Sequence, residues 1–373
     1  MVTYADYPLD YYNYSDNLTD EFFNISLWVD CDASKFRGSH IFLPIAYYLI
    51  FFTGFLGNLF VISVVGGKGR RGGRLVDTFI VNLALADLIF VLTLPLWAIS
   101  ASQGGYWNFG EVANLLCKLS SYIIAVNRFS NIFFLTCMSI DRYLAVVKLM
   151  NSKYLRSSRC IRFTCAAIWL SSLALGIPSL LYRRLVINDD GYICVENNNS
   201  YFFLGLSLAM ALLTFVFPVL IIVLCYGSIV VHLNKHCVAT VNPRAAARRR
   251  HSLKMVLLII VAFVVSWLPF NLFKAIMIGS HLSNSSQSCE TQSWLNNGLL
   301  VSCCLAFLNS CVNPAIYFFF DHHFRRRAQI LYKTCTGQSK LLQGYQSSTS
   351  FSNFGTSESF GTTGGRSQLQ TLE

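Results

Sequence analysis

Asp141, Arg142 and Tyr143 stand side by side where a long apolar run that begins near Ala113 comes to an end. A carboxylate beside a guanidinium forms a charge-assisted pair. At the edge of an apolar segment such a pair has two uses: a fixed interfacial anchor, or a contact the Arg exchanges for an incoming protein when the surrounding helices open. The second is the chemistry of a switch. No catalytic constellation stands beside it. The seven histidines do not pair with carboxylates at ligand spacing, and no glycine loop of the phosphate-binding kind occurs.

The elements that position this triplet follow from composition. The chain has 373 residues, 54% of them hydrophobic and 13% charged, too apolar for an ordinary soluble protein. A bilayer core about 30 Å thick calls for roughly 20 mostly apolar residues per helix. Seven stretches qualify, at about 41–65, 75–99, 113–140, 160–181, 201–230, 253–278 and 294–319. The fold class expected is an all-α membrane protein, a seven-transmembrane helix bundle followed by a short amphipathic eighth helix. From Cys117 to Arg142 is 25 residues, which at about 1.5 Å each spans about 37 Å. Cys117 is thus expected at the outer rim and Arg142 at the cytoplasmic rim.

Charge sets the orientation. Lys68, Arg70, Arg71 and Arg74, then Arg142 to Arg162, then Lys235 to Lys254, and finally Arg325, Arg326 and Arg327 fall in alternate segments between the apolar stretches. The other segments are acidic, from Asp6, Asp10, Asp16 and Asp20 to Asp189, Asp190, Glu196 and Glu290. Short basic loops stay cytoplasmic, so the N-terminus is expected outside. The net charge of +11 is then that of a polarised membrane protein and not a nucleic-acid footprint. Glycosylation acceptors begin at Asn13, Asn17, Asn24, Asn198 and Asn284, all on the side assigned outside. The first 40 residues show no apolar signal-peptide core, so the first spanning helix is expected to direct insertion.

The cysteines number thirteen, an odd count. Four fall at the oxidising face, and two links are expected: Cys117 to Cys194, clamping the third helix to the loop before the fifth, and Cys31 to Cys289, tying the N-terminal arm to the loop before the seventh. Cys137, Cys165, Cys225, Cys303, Cys304 and Cys311 read as small apolar filler. Cys335, after the basic amphipathic piece 324–332, is a palmitoylation candidate.

Several short motifs then stand in register: "GNLFV" at 57–61, "NLALADL" at 82–88, "DRYLAVV" at 141–147, Trp169, Pro218 with Tyr226, "SWLPF" at 266–270 and "NSCVNPAIY" at 309–317. In this order the chain resembles the rhodopsin-like (class A) G-protein-coupled receptors over about residues 40–335. It departs from the pattern at Ser266, where the family usually has Cys. "TLPLWA" at 93–98, "WNFG" at 107–110 and the Cys31/Cys289 pair look like the chemokine, apelin and angiotensin receptor branch. "CKLSSY" at 117–122 and "RRGGRLVDTF" at 70–79 look most like a pair of orphan receptors within it.

The resemblance implies roles. Asp141, Arg142 and Tyr143 would form the switch, Phe263 and Trp267 a packing toggle, and Tyr226 and Tyr317 would swing toward Arg142 on activation. Both tyrosines also read as plain interfacial aromatics. Asp87, with Asn127, Asn131, Asn309, Ser310 and Asn313, resembles the family's allosteric sodium pocket; a hydrogen-bond network without an ion fits the same residues. No other cofactor is expected. Ligand would meet Trp97, Lys118, Tyr122, Arg128, Lys274 and Cys303. Arg128, about 16 Å below Cys117, either faces the ligand or pairs with Asp87. Acidic outer segments would attract a basic peptide or chemokine-like protein, while the deeper cations favour an anionic group such as a C-terminal carboxylate.

Four segments result: an acidic, glycosylated arm (1–40) whose tyrosines invite sulfation, the bundle (41–320), an amphipathic helix at the membrane (321–335) and a Ser/Thr-rich cytoplasmic tail (336–373). Clusters around Ser347–Ser352 and Thr356–Ser359 suit receptor kinases and arrestin. The expected partner inside is a heterotrimeric G protein, of the inhibitory type by family resemblance. A decoy that binds ligand without coupling is the rival reading; a transporter is disfavoured because no internal repeat or broken-helix pair occurs.

Overall fold

The computed structural model describes residues 38–66, 75–147, 157–188, 191–196, 200–235, 243–283 and 288–336. Cys31, Asn13, Asn17, Asn24, Asn198, Asn284 and the Ser/Thr clusters of the tail lie outside the described residues. Among those described, seven helices are long and apolar enough to cross a membrane. They are span 1 (Ser39–Gly66), span 2 (Val76–Ser102), span 3 (Gly110–Val146), span 4 (Ser158–Tyr182), span 5 (Tyr201–Lys235), span 6 (Leu253–Leu282) and span 7 (Cys289–Phe320). Each carries a full row of large apolar side chains on its outer surface, such as Leu49, Phe52 and Leu56 in span 1 and Leu220, Val223 and Leu224 in span 5. In water that surface would be untenable, and in lipid it is matched.

Prolines shape the spans because each lacks the N–H its helix would use. In span 2 the ladder breaks at Thr93, whose hydroxyl donates to the Phe90 carbonyl at 2.8 Å; Pro95 follows. In span 5 a π-helical turn, Leu212–Val216, precedes Pro218. In span 6, Asn271 Nδ2 donates to the Trp267 carbonyl at 2.8 Å beside Pro269. In span 7, Pro314 cannot bond back to Ser310, and Asn58 Nδ2 from span 1 takes that carbonyl at 2.8 Å. Span 1 approaches the Pro314 turn closely at Gly57, where an added Cβ would lie 3.0 Å from the Pro314 ring.

Two features differ from the sequence expectation. The helix that carries span 6 begins at Pro243 and not near 253. Hydropathy marks where the bilayer ends, while the Ala/Arg-rich piece 243–250 is composed largely of good helix formers and continues the helix. The all-α bundle also carries a two-stranded antiparallel hairpin, β1 (Arg183–Asn188) and β2 (Gly191–Glu196). Its signal was present: Val186 and Ile187, then Ile193 and Val195, on either side of Asn-Asp-Asp-Gly.

The bundle through Asp321 is one compact unit. The helix His322–Cys335 belongs to a second. On it Phe324, Ala328, Leu331 and Cys335 recur at helical spacing along one stripe, opposite the basic residues Arg326 and Lys333.

Candidate functional site

The hairpin is held in place from both sides. Cys194 in β2 is disulfide-bonded to Cys117 at the outer end of span 3, with Cα atoms 5.7 Å apart. Trp107 donates its backbone N–H to the Tyr192 carbonyl at 2.6 Å and its indole N–H to the Ala113 carbonyl at 2.8 Å. Its ring packs 4.9 Å from Trp97 and 5.1 Å from Phe109. Trp107 of the "WNFG" motif is thus a buried bracket that fixes the hairpin over the bundle. Cys289, expected to pair with Cys31, is itself disulfide-bonded.

Beneath the bracket lies a cavity of about 960 Å³, lined from spans 1, 2, 3, 4, 6 and 7 and from the hairpin. Of the six expected ligand residues, Trp97, Arg128, Lys274 and Cys303 line it. Two do not. Tyr122 donates its hydroxyl to the Leu173 carbonyl at 3.1 Å and packs on Gly176, so it faces span 4. Lys118 lies one residue beyond the disulfide, outside the cavity wall. Helical spacing explains both: relative to Arg128 they point to other sides of span 3.

The cavity's charges are Arg128, Arg183, Lys274 and Glu196, with cations in excess. Glu196 accepts both hydrogen bonds from Lys274 Nζ, at 3.1 and 2.9 Å, and stands opposite Arg183 in the strand register. Burial pushes its carboxyl up, but Lys274 and Arg183 outweigh that, with Arg128 adding to them, and hold it down to about 2. Arg128 does not pair with Asp87. Its guanidinium lies 4.7 Å from the Phe129 ring centre and 5.9 Å from that of Trp267. Its Nε, the Ser121 hydroxyl and the indole N–H groups of Trp97 and Trp267 are buried donors without an acceptor among the described residues. A cavity with spare donors and spare positive charge suits a guest rich in acceptors.

Sequence reading counted Glu196 only as one more outer acid, and passed over Arg183 and Ser121. The signal for Glu196 was its spacing. In a strand, residues two apart share a face, so fixing Cys194 over span 3 turns Glu196 toward the same bundle.

Deeper in, Asp87 is fully buried and takes four hydrogen bonds: from Asn127 at 3.0 Å, Asn131 at 2.8 Å and Ser310 at 3.1 Å on Oδ1, and from Asn313 at 3.0 Å on Oδ2. Asn309, also buried, has no hydrogen bond to Asp87 among the described contacts. The side-chain oxygens of Asn131, Asn309 and Asn313 are left without a donor. Buried carbonyl oxygens beside a carboxylate fit a hard cation such as sodium. Next to this cluster, Trp169 Nε1 donates to Asn82 Oδ1 at 2.9 Å, tying span 4 to span 2.

Between the two levels, Phe263 lies 6.1 Å from Trp267, which meets Phe270 edge-on at 5.8 Å. At the inner end Arg142 pairs with Asp141 at 2.9 Å, and neither is more than 15% exposed. Val146, Ile229 and Leu253 close the inner ends of spans 3, 5 and 6 with Tyr143 against them. Tyr317 is buried, and the Tyr226 hydroxyl is buried without a hydrogen-bond partner among the described residues. The inner ends of spans 3, 5 and 6 are thus packed against one another beside the Arg142–Asp141 pair. Cys335 is exposed on its own helix, as a modification site needs.

The sequence profile of the 7 transmembrane receptor (rhodopsin family) matches residues 57–317. Curated relatives include Apelin receptor B of Danio rerio, 36% identical over 88% of this chain and 90% of its own length. Probable G-protein coupled receptor 25 of Mus musculus is 37% identical over 86% of each chain. The Apelin receptor of Xenopus tropicalis is 36% identical over 92% of each.

Proposed function

Because this chain belongs to the rhodopsin family of seven-transmembrane receptors, a family of multi-pass plasma-membrane proteins that signal through G proteins without enzymatic activity, we propose that it is the receptor for a secreted peptide with a basic body and an anionic end. An extracellular N-terminus belongs to this reading, supported by the basic loops and by the sequons on the opposite side. The acidic outer segments draw the peptide in, and its anionic group enters the cavity among Arg128, Arg183 and Lys274. One observation carries the reading: Arg128 reaches the cavity with a buried Nε that no acceptor among the described residues satisfies. Relatives named as apelin receptors support a peptide ligand.

Ligand contact near Trp267 shifts the Phe263–Trp267–Phe270 stack. The inner ends of spans 3, 5 and 6 then part, and Arg142 leaves Asp141 for a heterotrimeric G protein of the inhibitory class. Asp87 with the amide oxygens of Asn131, Asn309 and Asn313 would hold a sodium ion, which would supply positive charge favouring the closed form. Receptor kinases and arrestin act on the tail.

A library of basic peptides, each made with a free and with an amidated C-terminus, tests the ligand class on cells expressing the chain with a G-protein readout. Active members lose potency on amidation, and Arg128→Gln lowers the potency of the free-acid form while leaving the amide form unchanged. A charge-assisted bond of about 1.5–3 kcal/mol corresponds to roughly tenfold to over a hundredfold. Equal potency of both forms on wild type would defeat the reading.

A further inference from the structure

Glu196 already occupies one of the cavity's cations, Lys274. It sits at the end of β2, two residues past the disulfide that fixes this strand to span 3, and it holds Lys274 through two hydrogen bonds. Lys274 stands five residues beyond Pro269 and seven beyond Trp267 on span 6. Seven residues are two helical turns, so Lys274 and Trp267 share the face that lines the cavity. The ion pair therefore bridges a covalently anchored strand and the outer half of a kinked helix. That half lies on the far side of Pro269 from the closed inner end.

We propose that Glu196 is a specificity-determining residue: an internal acceptor that latches span 6 to the hairpin and that an activating ligand must displace from Lys274 with an anionic group of its own. This rests on the anionic-end reading and adds to it. A neutral ligand end cannot replace a carboxylate on Lys274, so it leaves the latch closed however well its body binds. An anionic end takes over Lys274 without leaving it unpaired and breaks the tie between hairpin and helix. The latch thus converts ligand charge into freedom of span 6, which is the differential contact any ligand-driven population shift requires. The pair is only partly exposed, Lys274 at 29% and Glu196 at 20%, so solvent does not screen it away.

The test uses full-length receptor in lipid vesicles with a heterotrimeric G protein, and it begins without ligand. Glu196→Gln and Lys274→Gln each raise agonist-free nucleotide exchange several-fold. The double variant rises no further than the singles, because both remove the same bond. Recovery of the Cys117–Cys194 link in non-reducing peptide maps checks that each variant is folded. The peptide pairs with free and amidated ends are then compared: Glu196→Gln narrows the potency gap between them by raising the amide form. Unchanged agonist-free exchange in both single variants, or additive effects in the double, would overturn the latch. The ligand-free arm decides this even if no peptide distinguishes its two ends, an outcome that would count against the anionic-end reading alone.

Discussion

Asn58 in span 1 gives its amide hydrogen to the Ser310 carbonyl in span 7 at 2.8 Å, the carbonyl that Pro314, four residues on, has no N–H to reach. A second hydrogen from the same nitrogen goes to the Gly54 carbonyl at 2.9 Å. One side chain thus repairs a proline gap in a distant helix and fixes the spacing of Ser310 and Asn313 around Asp87. Asn58→Ala is predicted to leave a buried carbonyl unsatisfied, at a cost of about 1–3 kcal/mol. The measurement is the thermal unfolding midpoint of purified receptor; a midpoint equal to wild type contradicts the assignment.

The Asp87 cluster predicts sodium sensitivity. Replacing sodium by choline raises agonist-free G-protein activation of the wild-type chain, and Asp87→Asn removes that difference. If the choline exchange has no effect on wild type, the cluster is a hydrogen-bond network alone.

The pH response of the cavity follows from Glu196. Its folded pKa, about 2, lies below that of an ordinary glutamate, near 4.3. The pair's contribution is thus fully present above the ordinary value and is lost only as pH falls through the folded one. Between about pH 5 and 8 the latch is predicted to be insensitive to pH, so endosomal acidity does not release it. Agonist-free exchange titrated across that range should show no Glu196-dependent step; a step that disappears in Glu196→Gln would refute the assigned charge state.

The bracket around Trp107 gives a third handle on the cavity. Trp107→Ala removes the indole bond to the Ala113 carbonyl and the ring packed on Trp97. Potency of an activating peptide is predicted to fall by about tenfold or more as the hairpin loses its inner support, while agonist-free coupling through Arg142 remains. Unaltered potency would show that the disulfide alone positions β2.

Much of this was legible in sequence because membrane burial is a strong one-dimensional signal. The seven apolar runs place the spans, and motif order places Asp87, Trp267 and Arg142 at their depths. What hydropathy could not give is which way a side chain faces. Tyr122 and Arg128 both lie in span 3, yet one turns to span 4 and the other to the cavity. Asn309 and Ser310 are neighbours, but only Ser310 reaches Asp87. The latch was hidden for a further reason. Glu196 and Lys274 are 78 residues apart, and only the hairpin, through Cys194, brings them together.

A ligand bound outside is predicted to reach a G protein through Arg142. The most direct measurement is guanine-nucleotide exchange on purified G protein by the purified receptor in vesicles, with an activating peptide from the library. Wild-type receptor is predicted to accelerate exchange on peptide addition, and Arg142→Ala to bind the same peptide with similar affinity and accelerate nothing. Peptide binding to wild type without any exchange, the behaviour of a decoy, or full exchange by Arg142→Ala, would contradict it.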